Sequence, residues 1–195
     1  MANVDTNEEK RNIVFRNDRT IYFFDEVNNA SACEVIRIIQ DLTKENPKKP
    51  IELVINSIGG DIYDGLALYD NLRHSDCKIV TIGQGIIASM AVIVFLAGDT
   101  RLMTKNARLM YHQASLDFTG KLSDAEVDIR ETKALEEITL KIVAERTGQS
   151  IKKLTKDFKS VDKYISAEKC VQEGYAHKIV QNKKRRQIIC IREQL

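Results

Sequence analysis

No apolar run in this chain reaches the length needed to span a bilayer. Its first residues, Met1 to Glu9, lack the basic stretch followed by an apolar core that marks a secretory signal. A cytoplasmic setting is therefore expected. Cysteine is sparse and scattered: Cys33, Cys77, Cys170 and Cys190 show no metal-type pairing and read as idle thiols in a reducing compartment. No carboxylate–histidine grouping resembles a metal site, so neither a metal nor another cofactor is expected. There is no Walker-type phosphate loop, which excludes ATP hydrolysis by this chain. Net charge is scarce too, +2 overall, so charge suggests neither nucleic acid nor a membrane surface as a partner. The basic cluster Lys183-Lys184-Arg185-Arg186 reads as a solvated tail. No internal repeat or low-complexity tract is visible.

What is present is a chain of 195 residues, the size of one ordinary domain. The polar start, residues 1–12, is expected to be mobile. Ile21-Tyr22-Phe23-Phe24 reads as a buried strand. Ser31-Ala32-Cys33-Glu34 has the form of a capping box opening a helix, which Pro47 and Pro50 terminate. Ile51–Asn56 is the next strand, and Asp61 can cap a helix through Ile62, Leu66 and Tyr69. A strand over 77–83, a helix closing at Gly98, and short strands near 101–103 and 108–110 follow. The longest helix is expected over Ser123–Thr147, with Ser123-Asp124-Ala125-Glu126 as a second capping box and Gly148 as its stop. Strands alternating with helices predict an α/β fold with parallel crossovers, whose sites form beyond the carboxyl ends of strands.

Gly83 to Ala91 places Ser89 between a strand-like and a helix-like run. A serine on such a turn can project its hydroxyl beside free helix-start amides, as an acyl-transfer nucleophile requires. Taken alone, a plain helix cap is the commoner role. His112 ends the apolar run Leu109-Met110-Tyr111, and Asp162 precedes Lys163-Tyr164-Ile165. Nucleophile, base and orienting carboxylate are thus all represented, but geometry alone identifies a triad. Asp157 is a rival for the acid. His74 and His177 read as surface residues. Gly59-Gly60 serves as a strand-to-helix turn and can also let backbone amides approach a substrate.

Four patches, in register, resemble the proteolytic subunit of the Clp protease, a self-compartmentalising serine peptidase. They are Ile55-Asn56-Ser57-Ile58-Gly59-Gly60, Gly83 to Ala91, Met110-Tyr111-His112-Gln113, and Asp162 to Ala167 with Glu173-Gly174. The likeness runs from about Arg19 to Val180. It departs from the family at Ile58, where proline is usual, at Ala114–Phe118, where Pro and a Gly-Gly turn are usual, and at Lys163, where arginine is usual.

The resemblance implies a crotonase-like α/β fold of repeated β-β-α units with a protruding handle helix. It implies Ser89 as nucleophile, His112 as base, Asp162 as orienting acid, and the Gly60 and Met90 amides as oxyanion hole. It further implies one domain over 1–195, with an N-terminal segment 1–18, a handle region 114–148 and a tail 181–195. The expected partners are copies of itself in a ring, as stacked heptamers, an AAA+ unfoldase, and unfolded polypeptide substrates. On the long helix, Val127, Ala134, Leu135, Ile138 and Ile142 fall on one side and Ile129, Leu140 and Val143 nearly opposite, which predicts burial on both sides. Two rivals stand beside this reading. One is an acyl-CoA hydratase or isomerase of the same architecture. The other is a ring subunit with impaired chemistry.

Overall fold

A computed structural model describes residues 14–114, 121–158 and 162–180. The expected mobile start, residues 115–120 and the basic tail with Cys190 lie outside these residues. Strand β1 (Val14–Asn17) turns at Asp18, φ 54, into β2 (Thr20–Phe23). In β2 Ile21 and Phe23 are buried while Tyr22 faces partly outward, so one face of the expected buried strand is covered and the other is not.

Helix α1 (Asn29–Glu45) begins earlier than the sequence suggested. Asn28 is the N-cap and Ser31 the third helical residue: Ser31 N–H donates to Asn28 Oδ1, and Asn28 N–H donates to Ser31 Oγ. The box is real, but serine occupies its other end, because Asn28 three residues upstream offers the stronger first acceptor. Cys33 on this helix is exposed, whereas Cys77 and Cys170 are buried. Strand β3 (Ile51–Ser57) buries Ile51, Leu53 and Ile55 on one face, while on the other Val54 is buried between half-buried Glu52 and Asn56. Helix α2 (Ile62–Arg73) is capped by Asp61, whose carboxylate accepts from Asp64 N–H.

Strand β4 (Ile79–Ala88) corrects the expected stop at Gly83. Gly85 adopts φ 56, which bends the strand without ending it. The first half of β4 pairs with β5 (Thr100–Thr104), the second half with β6 (Arg108–Tyr111). Between them, helix α3 (Met90–Leu96) is buried at every residue. Its C-cap is Ala97, not the expected Gly98. The free carbonyls there are met instead by Arg146, whose guanidinium donates to Leu96 O and Gly98 O. Gly98 is small for another reason: a Cβ there would lie 2.3 Å from Thr81 Oγ1.

Arg146 belongs to α4 (Leu122–Thr147), which ends at Gly148 in the left-handed region, φ 73. Its N-cap is Lys121 without a side-chain cap, so the second expected capping box does not form; Ser123 Oγ donates to Asp124 instead. Helix α5 (Ile151–Phe158), strand β7 (Lys163–Ser166), helix α6 (Ala167–Gln172) and strand β8 (Lys178–Val180) complete the described chain.

The result is a mixed α/β molecule around an eight-stranded sheet of order β1-β2-β3-β4-β5-β8. Strands β6 and β7 branch from the far end of β4, with β6 parallel to β4 and antiparallel to β7. Among the described residues no helix is long and apolar enough to cross a membrane.

Candidate active site

Ser89 sits where β4 becomes α3, at φ 51 and ψ −124, one of two non-glycine residues with positive φ among those described. Such a backbone is costly for a residue with a side chain and persists only where its surroundings enforce it. Here Ser89 N–H donates to Met110 O on β6 at 2.8 Å, and Val92 N–H donates to Ser89 O. The hydroxyl makes no cap hydrogen bond. The plain capping role is therefore absent, and the side chain is turned away from the helix it precedes.

Gly59 is pressed against this elbow. A Cβ at Gly59 would come within 2.7 Å of Ser89 Cβ and 2.8 Å of Met90 N, and its φ of 93 suits glycine alone. The loop is tied down by Val27: Val27 N–H donates to Gly59 O and Asp61 N–H donates to Val27 O, each at 2.7 Å. Between these two bonds the Gly60 N–H donates to no acceptor among the described residues. Met90 N–H is a first-turn amide of α3, without an intrahelical acceptor. Both amides therefore stand unused beside the serine turn.

Ser89 and His112 line one cavity of about 680 Å³. Its floor is apolar, from Ile62, Val92 and Ile93, and α4 closes one side with Leu140, Lys133 and Glu136. His112 follows β6 directly. Its Nδ1 lies 2.7 Å from the carbonyl of Gln113, so Nδ1 carries the proton and Nε2 is left as an acceptor. The next backbone group is held too: Ala114 N–H donates to Glu136 Oε1 at 3.0 Å.

Asp162 does not line the cavity. The antiparallel β6–β7 ladder pairs Arg108 with Ser166 and ends at Tyr111 with Lys163. His112 and Asp162 each lie one residue beyond the end of that ladder. Among the described residues no hydrogen bond joins Ser89 to His112 or His112 to Asp162, and the Gln113 carbonyl holds the histidine instead. Asp157, the rival acid, is ion-paired with Lys163 at 2.5 Å and Lys153 at 3.5 Å, and its carboxyl is held low, foremost by the Lys163 hydrogen bond. His74 turns its Nδ1 to Asp70 O on its own helix. His177 is exposed, as expected, and its Nδ1 accepts from Arg101 N–H.

A model of the Clp protease family matches residues 6–183, most of the chain. The chain belongs to that family.

Proposed function

From a chain of the Clp protease family, we propose a serine endopeptidase subunit that works inside an oligomeric chamber. Ser89 Oγ attacks the scissile carbonyl carbon and passes its proton to His112 Nε2. The Gly60 and Met90 amides take up the charge developing on the carbonyl oxygen. His112 then protonates the departing amine, leaving an acyl group on Ser89. Water, deprotonated by His112, hydrolyses that ester and restores the serine. Asp162 orients the imidazole and stabilises its cation. The Gln113 carbonyl selects the same tautomer but, being neutral, stabilises the cation less. Productive chemistry thus calls for the ring of His112 to turn from Gln113 towards Asp162.

The observation that carries this reading is Ser89 itself. A serine in a strained elbow, not used as a cap, shares a cavity with a histidine and abuts a glycine pair. In the ring assembly, α4 would be the handle helix between stacked heptamers of a crotonase-like subunit, and an AAA+ unfoldase would supply unfolded chains.

A fluorophosphonate should add once per subunit, at Ser89, by intact-mass measurement. Ser89→Ala should abolish labelling and lower cleavage of a fluorogenic peptide by about 10³-fold or more. An assembled, folded protein that neither labels nor cleaves would favour the impaired ring subunit. Hydration of an enoyl thioester without labelling would favour the hydratase.

A further inference from the structure

Behind the β6–β7 ladder lies a polar cluster that this mechanism does not use. Lys163 opens β7, pairs with Tyr111 across the ladder and directly follows Asp162. Its Nζ stands 2.5 Å from Asp157 Oδ2 on α5 and 5.6 Å from the centre of the Tyr111 ring. Both charged side chains are mostly covered, with 25% and 22% of their surface exposed, so water and salt screen the pair less than a surface pair. Lys153 meets the same carboxylate at 3.5 Å. Burial alone would lower the pKa of Lys163, but hydrogen bonds to Asp157 and Tyr111 outweigh it and keep the amine cationic.

Side chains alternate between the two faces of a strand, and directly opposed residues share a face. Lys163 and Tyr111 share one face. Asp162 and His112, one step along, share the other. A one-residue slip at the start of β7 would send Asp162 to the wrong side. We infer that Lys163 is a positioning residue: tied to Asp157 and seated on Tyr111, it holds the register and face of β7 so that Asp162 stands opposite His112. This rests on reading Ser89, His112 and Asp162 as a triad.

The sign of a pH shift separates positioning from simple charge. Around His112 the other charged groups are Lys133, Glu136, Glu137 and Lys141 of α4, which every variant keeps. Removing the nearby Lys163 cation would by itself raise the apparent pKa of the base. Losing the Asp162 carboxylate would lower it. The measurement is the rate of fluorophosphonate labelling of Ser89 from pH 5 to 9 in the assembled protein. Lys163→Met should slow labelling roughly 10- to 100-fold and lower its apparent pKa by about one unit. Lys163→Arg should restore both. If Lys163→Met does not fold, Lys163→Gln is read in the same way. An unchanged or raised apparent pKa in the neutral variant overturns the inference and leaves the triad standing. An unlabelled wild-type protein overturns the triad reading beneath it.

Discussion

A guanidinium closed off from water organises the end of the molecule away from Ser89. Arg101 is 4% exposed and meets no carboxylate among the described residues; its donors reach the carbonyls of Tyr175, Gly98, Arg146 and Gly174. Burial lowers its pKa to about 10. In sequence it is only part of a short strand, because nothing local says that residue 146 and residues 174–175 will converge on it. Its partner His177 is exposed, as the sequence suggested, but its bonds to Arg101 could not be read from neighbours in the chain. Arg101 N–H donates to His177 Nδ1, and His177 N–H donates back to Arg101 O. Burial first, then the charges of Arg101 and Arg146, hold His177 below the ordinary value near 6.5. The folded state thus favours the neutral ring. Its contribution is present above the ordinary pKa and is lost as pH falls through the lower folded value. Thermal melts should show stability falling between about pH 7 and 5, and His177→Asn, which keeps an acceptor but no titration, should flatten that fall.

Among the elements, α4 is where pattern and packing disagree most usefully. Neither of the two expected apolar stripes is covered along its length. Leu135 and Val143 are buried against the core, with Leu140 and Ile142 partly covered beside them. Val127, Ile129 and Ile138 remain 57%, 45% and 43% exposed. Ile138 is therefore the better probe of assembly, since Leu140 also serves its own subunit. Ile138→Asp should leave the subunit folded and reduce the assembly to smaller species, because an unpaired buried charge costs about 3–5 kcal/mol at an interface. Light scattering reads this directly, and an unmutated protein that runs as a monomer would remove its basis. Helix ends follow a related lesson. Asp61 and Gly148 act as the sequence suggested, because each works within its own turn of the chain, Asp61 by its carboxylate and Gly148 by its left-handed backbone. Gly98 does not, because Arg146 from a distant helix takes over the cap.

For the whole molecule, the governing fact is a cleft without an engine. The cavity beside Ser89 can hold a short stretch of extended chain, and no nucleotide loop exists to pull a folded protein apart. The purified chain should cleave short fluorogenic peptides slowly and without ATP. A stably folded, tagged reporter should survive unless an unfoldase and ATP are added, as followed by its fluorescence. Rapid loss of the reporter with neither present would contradict gated access.

The short list of Ser89, His112, Asp162, Gly60 and Met90 came with the family resemblance; the sequence by itself determined the α/β class and most of the strands and helices from β2 to α4. Those depend on period, local caps and glycine freedom, which are properties of neighbours in the chain. Only the tertiary structure decided how these residues meet. The bend at Gly85 lets β4 reach β6 and bring Ser89 to the cavity of His112. The β6–β7 register pairs Tyr111 with Lys163, the neighbours in sequence of His112 and Asp162. The turn of His112 towards Gln113 is settled by one hydrogen bond. Each of these depends on contacts between residues far apart in the chain, whose free energies appear only once the elements have packed.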